Sequence, residues 1–233
     1  LRAGLQVMVK PHVWVPDRWA GVVSFTDEAD WAQWFRAYEK ALLECAETAR
    51  QAGAQAFSVG TELERTTRRP EWNGVIDRVR KAFPGRLTYV AHNAAEAERI
   101  GFWDLLDVVS ISTYPVLGAA NDPKSWRMAM DRELRALRRV AVRHDKSAWL
   151  GEIGLRSARG ATLKPWESAE ERDAPADPTL QYDVLKMWLE AAQHHGIEAA
   201  FVGRWLTDPE GGGPEDTDFT IQNKPAQSLL AFR

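Results

Sequence analysis

The chain is poor in the features that mark several protein classes. It has a single cysteine, Cys45, so an internal disulfide is excluded. No apolar run approaches the roughly 18 residues that suggest a membrane span. The 30 Lys and Arg side chains nearly balance the 33 Asp and Glu side chains, for a formal net charge of −3. Such a balance indicates neither a nucleic-acid partner nor an acidic membrane surface.

Several catalytic motifs are also missing. The five histidines show neither HxxH nor HExxH spacing, so we expect no catalytic metal. No glycine-rich phosphate loop follows a predicted strand, and no G-x-S-x-G elbow is present. We therefore expect no cofactor and no serine-hydrolase chemistry. The first residue is Leu1, so the sequence leaves open whether the protein is secreted or cytoplasmic.

What the chain does have is a regular alternation of strands and helices. Apolar runs predict strands at 5–15, 56–62, 87–93, 108–115, 147–154 and 199–205. Apolar residues at helical spacing predict helices at about 26–53, 71–83, 96–106, 126–141, 180–196 and 225–232. We expect Thr26 to cap the first helix and Gly53 to end it. A long polar stretch, 155–178, has the length of a functional or mobile loop.

This alternation predicts an α/β fold with a parallel sheet. Six βα units of this length suit part of a (β/α)8 TIM barrel, and we interpret residues 1–233 as one such domain. An open, doubly wound sheet is the structural competitor. It is disfavoured because its usual glycine-rich phosphate loop is absent.

Polar or aromatic residues stand where the predicted strands end. They are Lys10, His12, Thr61, Glu62, His92, Asn93, Tyr114, Glu152 and Trp205. In a (β/α) barrel the active site lies at the carboxyl ends of the strands. The pattern therefore predicts an active site built from these residues.

Glu62 and Glu152 are the candidate catalytic residues. Each follows an apolar run, where a charge is costly unless it has a partner or a task. Two carboxyl groups about 5–5.5 Å apart are what retaining glycoside hydrolysis requires. The acid needs a raised pKa and the nucleophile needs hydrogen-bond donors, for which Tyr114 is a candidate beside Glu152. Glu64 is interpreted as a supporting or surface charge.

The order of the motifs strengthens this interpretation. The chain contains Lys10-Pro11-His12-Val13, Gly60-Thr61-Glu62-Leu63, Phe102-Trp103-Asp104, Ser112-Thr113-Tyr114-Pro115, Gly151-Glu152-Ile153-Gly154 and Lys224-Pro225-Ala226. In these segments it resembles glycoside hydrolase family 113 of clan A, a family of β-mannanases with a (β/α)8 barrel. The resemblance implies Glu62, at the end of the fourth barrel strand, as acid/base. It implies Glu152, at the end of the seventh, as nucleophile.

The resemblance also brings two departures. Thr61 stands where the wider clan usually places asparagine, as in a Gly-Thr-Glu version of the motif. The first strand here matches the family's third, so the first two βα units are expected to be absent. An incomplete barrel leaves unpaired strand edges. We therefore expect that the chain is either part of a longer barrel or self-associates through the open edge.

The remaining candidates are substrate-binding residues and competing functions. Expected sugar-binding residues are Lys10, His12, Trp14, Thr61, His92, Asn93, Tyr114 and Trp205, with loop capping as the alternative for His92 and Asn93. Trp205 is the favoured stacking platform; Trp103 and Trp166 are weaker candidates. The functional alternatives are a clan A endoglycosidase acting on glucan or xylan, and a truncated barrel that binds glycans without cleaving them.

Overall fold

The computed structural model describes residues 5–118 and 122–230. In these residues six strands form one sheet in the order β1-β2-β3-β4-β5-β6. Their bounds are Met8–Val9, Ala56–Thr61, Arg86–Ala91, Val108–Ser112, Ser147–Ile153 and Ala199–Val202. The pairs β1–β2, β2–β3 and β3–β4 are parallel.

The strand order separates the two predicted architectures. A doubly wound sheet reverses its strand order at a switch point, whereas a barrel adds each strand beside the previous one. The six described strands follow the chain without a reversal. The predicted (β/α)-barrel type of sheet is therefore the observed one, with six strands in the described residues.

Five α-helices separate or follow these strands. They are α1 Glu28–Gln51, α2 Glu71–Ala82, α3 Ala94–Ala97, α4 Pro123–Arg143 and α5 Pro178–His194. Short 3-10 helices cover Ala20–Val22, Glu64–Thr66, Trp103–Leu105, Ala161–Leu163 and Pro225–Leu230. The end of the predicted C-terminal helix, 231–232, lies outside the described residues. No described helix has both the length and the apolar character that a membrane crossing requires.

Three local predictions differ from the structure. The first strand is limited to Met8–Val9, and Pro11, which has no N–H to donate, follows soon after. The continuous helix expected at 96–106 is wrong, because the indole N–H of buried Trp103 donates to the Ala97 carbonyl at 2.9 Å and closes a turn. The cap of α1 is Asp27 rather than Thr26, since the Asp27 carboxylate accepts the Ala29 N–H at 2.7 Å.

The chain divides into two compact units. The first comprises residues 1–112 and 139–149. Its core includes an aromatic cluster in which Trp72 contacts Phe35, Tyr89 and Phe102, with ring centroids 5.4–5.7 Å apart. Strand β2 is buried along its whole length. This aromatic packing stabilises the end of β2, which directly precedes Glu62.

The second unit comprises residues 113–138 and 150–233. Its core includes Leu185, Ile221 and Ala226. The fully buried Arg156 donates to the carbonyl oxygens of Ser168, Arg172 and Thr217 at 2.7–3.0 Å. The stretch 155–178, expected to be a functional or mobile loop, is thus hydrogen-bonded to the buried guanidinium of Arg156. The interpretation of residues 1–233 as a single domain stays a prediction.

Candidate active site

Glu62 directly follows β2 and has an unusual backbone. Its φ is 53°, in the left-handed region that residues with a Cβ rarely adopt. Its own N–H donates to the Val90 carbonyl at 2.9 Å, and the next N–H, of Leu63, donates to the Tyr89 hydroxyl at 2.8 Å. These bonds stabilise a turn that ends the strand. Backbone strain of this kind is concentrated at functional sites.

Two aromatic side chains contact the Glu62 carboxylate, which is 16% exposed. The indole N–H of Trp19 donates to Oε2 at 2.8 Å. His92 Nδ1 lies 3.4 Å from the same oxygen and has no well-formed hydrogen bond among the described residues, so this contact is mainly electrostatic. The Trp19 and His92 rings are 4.4 Å apart. Together they hold the carboxylate in one orientation.

The sequence interpretation missed Trp19. It precedes a short 3-10 helix, Ala20–Val22, and belongs to no periodic pattern. A Cβ added at Gly21 would lie 2.2 Å from the Trp19 ring, so only glycine leaves room for the ring in this place. The glycine two residues after Trp19 is therefore the sequence feature that permits this arrangement. Its importance can be recognised only when the structure shows that Trp19 contacts Glu62.

The pKa values of Glu62 and His92 move in opposite directions. Burial raises the pKa of Glu62, but His92, the Ser112 hydroxyl and Trp19 lower it more, so that its pKa falls below the ordinary value. Burial lowers the pKa of His92, and the adjacent Glu62 and more distant carboxylates raise it above the ordinary value. The direction for Glu62 is opposite to the expectation for a catalytic acid. Ser112, at the end of β4, belongs to one of the family-like segments, but the sequence did not single it out as a site residue.

The Thr61 side chain is buried against the segment that follows β1 and does not face solvent. Its side chain is buried, and its hydroxyl donates to the Pro11 carbonyl at 3.1 Å. This bond fixes the segment that carries Lys10, which is half-buried, and His12, which is exposed. Trp14 follows and is 88% exposed.

Asn93 caps the short helix α3. Its side-chain oxygen accepts the Glu96 N–H at 2.9 Å, which is the capping alternative that the sequence left open. Glu96 itself is fully buried and was not singled out from the sequence. Glu64 forms an ion pair with Arg99, as expected for a supporting or surface charge.

Glu152 lies near the end of β5 in the second unit. The Tyr114 hydroxyl donates to Oε1 at 2.7 Å, which is the donor that the sequence predicted. The Thr113 N–H donates to the Glu152 carbonyl at 3.0 Å, and the Tyr114 ring meets Phe219 edge-on at 6.0 Å. Both contacts fix the tyrosine against the carboxylate. The Tyr114 hydroxyl in turn holds the Glu152 carboxylate in one orientation.

The aromatic candidates differ in exposure. Trp205 lies beyond β6, which ends at Val202 rather than at the predicted position, and is 58% exposed. Its role as a stacking platform stays a prediction. Trp166 is exposed, whereas Trp103 is fully buried in the core, so the prediction of Trp103 as a sugar contact is wrong.

Two aspartates of the loop 208–218 are paired with basic side chains. Asp216 accepts a hydrogen bond from the fully buried ammonium of Lys224 at 2.5 Å, and Asp218 pairs with Arg204 at 3.2 Å. In residues 5–118 and 122–230 no three His, Cys, Asp or Glu side chains are grouped so that they could hold a metal ion.

The match to a protein family agrees with the function that the strand-end glutamates indicate. The family model described as Glycoside Hydrolase Family 113 matches residues 1–224. A search of the curated proteins finds no significant match.

Solved structures give the same assignment. The GH113 β-mannanase AaManA from Alicyclobacillus acidocaldarius, in complex with ManMIm, is 27% identical with a TM-score of 0.84, covering 98% of this chain and 72% of that chain. A GH113 β-1,4-mannanase described in a complex is 25% identical, also with a TM-score of 0.84, covering 98% and 73%. Fungal β-1,4-galactanases, 15% identical with a TM-score of 0.63 and coverage of 98% and 78%, share the fold alone.

The family assignment rests on nearly the whole chain and not on the two glutamates alone. The structural likeness shows a (β/α)8-barrel type of fold, represented here by six strands in the described residues. The family model covers nearly the whole chain, including both segments that carry Glu62 and Glu152. The chain is thus a glycoside hydrolase and belongs to Glycoside Hydrolase Family 113.

Proposed function

We propose that this chain is a retaining β-mannanase that cleaves β-1,4-mannosidic bonds by double displacement. Glu152 is the nucleophile and Glu62 is the acid/base. The observation that carries the proposal is the hydrogen bond from Tyr114 to Glu152 at 2.7 Å, because it singles out one strand-end carboxylate and fixes its orientation. The mannan substrate rests on the β-mannanases to which the chain is similar.

The proposed reaction has two steps. Glu152 attacks the anomeric carbon while Glu62 donates a proton to the leaving glycosidic oxygen. Glu62 then removes a proton from a water molecule, whose oxygen displaces Glu152 and releases the sugar with its original configuration. The acid step requires protonated Glu62, whereas His92 and Trp19 favour its ionised form in the free protein. Substrate binding next to His92 would therefore have to weaken this pairing.

Substrate contacts are proposed for the exposed or half-exposed side chains that follow the strands. They are Lys10, His12, Trp14, His92, Asn93, Tyr114 and Trp205, with Thr61 included for its place beside Glu62. Flat indole faces such as that of Trp205 suit the apolar faces of sugar rings.

The direct test is Glu152→Ala in the chain as it exists, assayed on mannan oligosaccharides. We expect hydrolysis to disappear while circular dichroism and thermal unfolding stay those of a folded protein. Glu190→Ala is the control, because Glu190 is an exposed carboxylate on α5, outside the proposed machinery. Turnover by Glu152→Ala at the wild-type rate would refute the assignment.

The stereochemical test is proton NMR of the first-formed product. A retained β-anomer is expected from double displacement, and an inverted product would contradict it. A parallel assay on β-1,4-linked glucan and xylan tests the substrate. Faster cleavage of either one would assign a different endoglycosidase, and tight binding without any turnover would assign a glycan-binding protein.

We also propose that the protein self-associates through a strand edge. Within the described residues β1 pairs only with β2 and β6 only with β5, so the terminal strands each have one free side. Unpaired strand edges offer backbone hydrogen-bonding groups to another chain.

A further inference from the structure

A buried carboxylate, Glu96, lies behind the proposed acid/base and takes no direct part in the proposed reaction. It is fully buried on α3. Its Oε1 accepts the Tyr89 hydroxyl at 2.8 Å, and its Oε2 accepts the backbone N–H of His92 at 2.5 Å. Burying a charged group is costly, so full burial with both oxygens engaged calls for a physical reason.

The two hydrogen bonds of Glu96 lead to the two segments that form the Glu62 site. The Tyr89 hydroxyl, which donates to Glu96, also accepts the N–H of Leu63 at 2.8 Å, directly after Glu62. The other bond fixes the backbone of His92, whose ring lies beside the Glu62 carboxylate. One carboxylate therefore connects the strained turn at Glu62 with the residue that contacts its side chain.

The donor pattern favours ionised Glu96. Tyr89 can donate its only hydroxyl proton to Glu96 while accepting from Leu63, and His92 offers a backbone N–H. Both bonds to Glu96 are stronger when the acceptor is a charged carboxylate than when it is a neutral carboxyl group. Protonation would thus weaken the two connections.

From this geometry we propose that Glu96 is a positioning residue for Glu62, holding the Glu62 turn through Tyr89 and the His92 backbone directly. This inference rests on the proposed function for its catalytic consequence but not for its structural content. The pKa of Glu96 is raised to about 7, chiefly by burial and also by Glu64, while the His92 N–H, the Tyr89 hydroxyl and the His92 charge oppose the rise. The connection therefore weakens as the pH falls below about 7.

The first experiment measures the His92 imidazole by NMR titration and needs no turnover. The effect of Glu62→Gln on the His92 pKa is compared in the wild-type and Glu96→Gln backgrounds. The direct charge effect of Glu96 on His92 is present whether or not residue 62 is charged, so the double-mutant comparison isolates the placement of Glu62. We expect the downward shift caused by Glu62→Gln to be less than half as large in the Glu96→Gln background.

Two further variants make the test decisive. Glu98→Gln removes an exposed carboxylate just after the same short helix and is expected to leave the shift unchanged. Tyr89→Phe keeps the Glu96 charge but removes the hydroxyl link to Leu63, and it is used if Glu96→Gln does not fold. An undiminished Glu62 effect on His92 in the folded variant would overturn the proposal and leave Glu96 with a role in stability alone.

Kinetics provide the second readout. If the chain hydrolyses mannan, Glu96→Gln is expected to lower kcat by about 10- to 100-fold, the scale of a misplaced catalytic group, with KM within about twofold of wild type. The wild-type kcat should fall as the pH drops below about 7, whereas Glu96→Gln should lack this limb. An unchanged kcat and pH profile in an active chain would overturn the proposal. An inactive wild type would refute the proposed function while the NMR result still decides the role of Glu96.

Discussion

At the residue scale, Glu62 and His92 form a pair whose members favour each other's charged form. Trp19 completes the arrangement by donating to the same carboxylate oxygen. The sequence pointed to Glu62 and His92 because each follows a strand. It did not point to Trp19, because nothing in the local pattern relates that residue to position 62.

The pair predicts a pH-dependent stability. The raised pKa of His92 gives a contribution that is complete below its ordinary value of 6.5 and is lost as the pH rises through the folded value. The lowered pKa of Glu62 gives a contribution that is complete above its ordinary value of 4.5 and is lost as the pH falls through the folded value. The pair is therefore most stabilising between 4.5 and 6.5.

His92→Asn tests this window. Relative to wild type, its loss in the free energy of unfolding should be larger at a pH of about 5.5 than at about 8.5, as measured by urea denaturation. His194→Asn, which removes an exposed imidazole at the end of α5, is the control and should show no such difference. An equal loss at both pH values for His92→Asn would argue against the pair.

At the element scale, strand β2 shows how much of the site local sequence predicts. Its apolar run predicted a buried strand ending at a carboxylate, and the structure has Ala56–Thr61 followed by Glu62. The positive φ of Glu62 could not be predicted, because hydrogen bonds from residues far along the chain maintain it. The Tyr114–Glu152 contact was predicted from strand ends, whereas the bracing of Pro11 by Thr61 was not.

Helix α1 shows the limit of pattern reasoning at element ends. Thr26 and Asp27 are both good capping residues, and the choice of Thr26 from the sequence was wrong by one position. The backbone geometry selects Asp27, whose carboxylate reaches the Ala29 N–H at 2.7 Å.

Asp27→Ala should therefore destabilise the protein by about 0.5–2 kcal/mol, the typical contribution of an N-cap. Thr26→Ala is the matched control, with an expected change within about 0.5 kcal/mol. Chemical denaturation of both variants measures the difference. A larger loss for Thr26→Ala than for Asp27→Ala would contradict the capping geometry.

At the scale of the whole molecule, strand order decides the architecture. Alternating strands and helices suit both a barrel and a doubly wound sheet. The sequential order of the six described strands selects the barrel type, and the family comparison gives the same result.

The prediction of self-association concerns the two terminal strands of the sheet, β1 and β6. Sedimentation velocity over a range of concentrations should show a reversible dimer or larger species, because β1 and β6 each leave one backbone edge without a neighbour in the described residues. Replacing Met8 in β1 by proline should weaken this association, because Val7 bonds to the start of β2 and the N–H of the next residue, Met8, points to the opposite, open side of the strand. A monomer at all concentrations would contradict self-association.

The sequence by itself determined the strand–helix alternation, the positions of Glu62 and Glu152 after apolar runs, and the family resemblance. These depend on residue type and short-range spacing, which the chain carries locally. Only the tertiary structure decided that Trp19 contacts Glu62, that Glu96 connects His92 with the Glu62 turn, and that Arg156 and Lys224 are buried. Such contacts join residues distant in sequence, and their directions depend on a backbone that only folding provides.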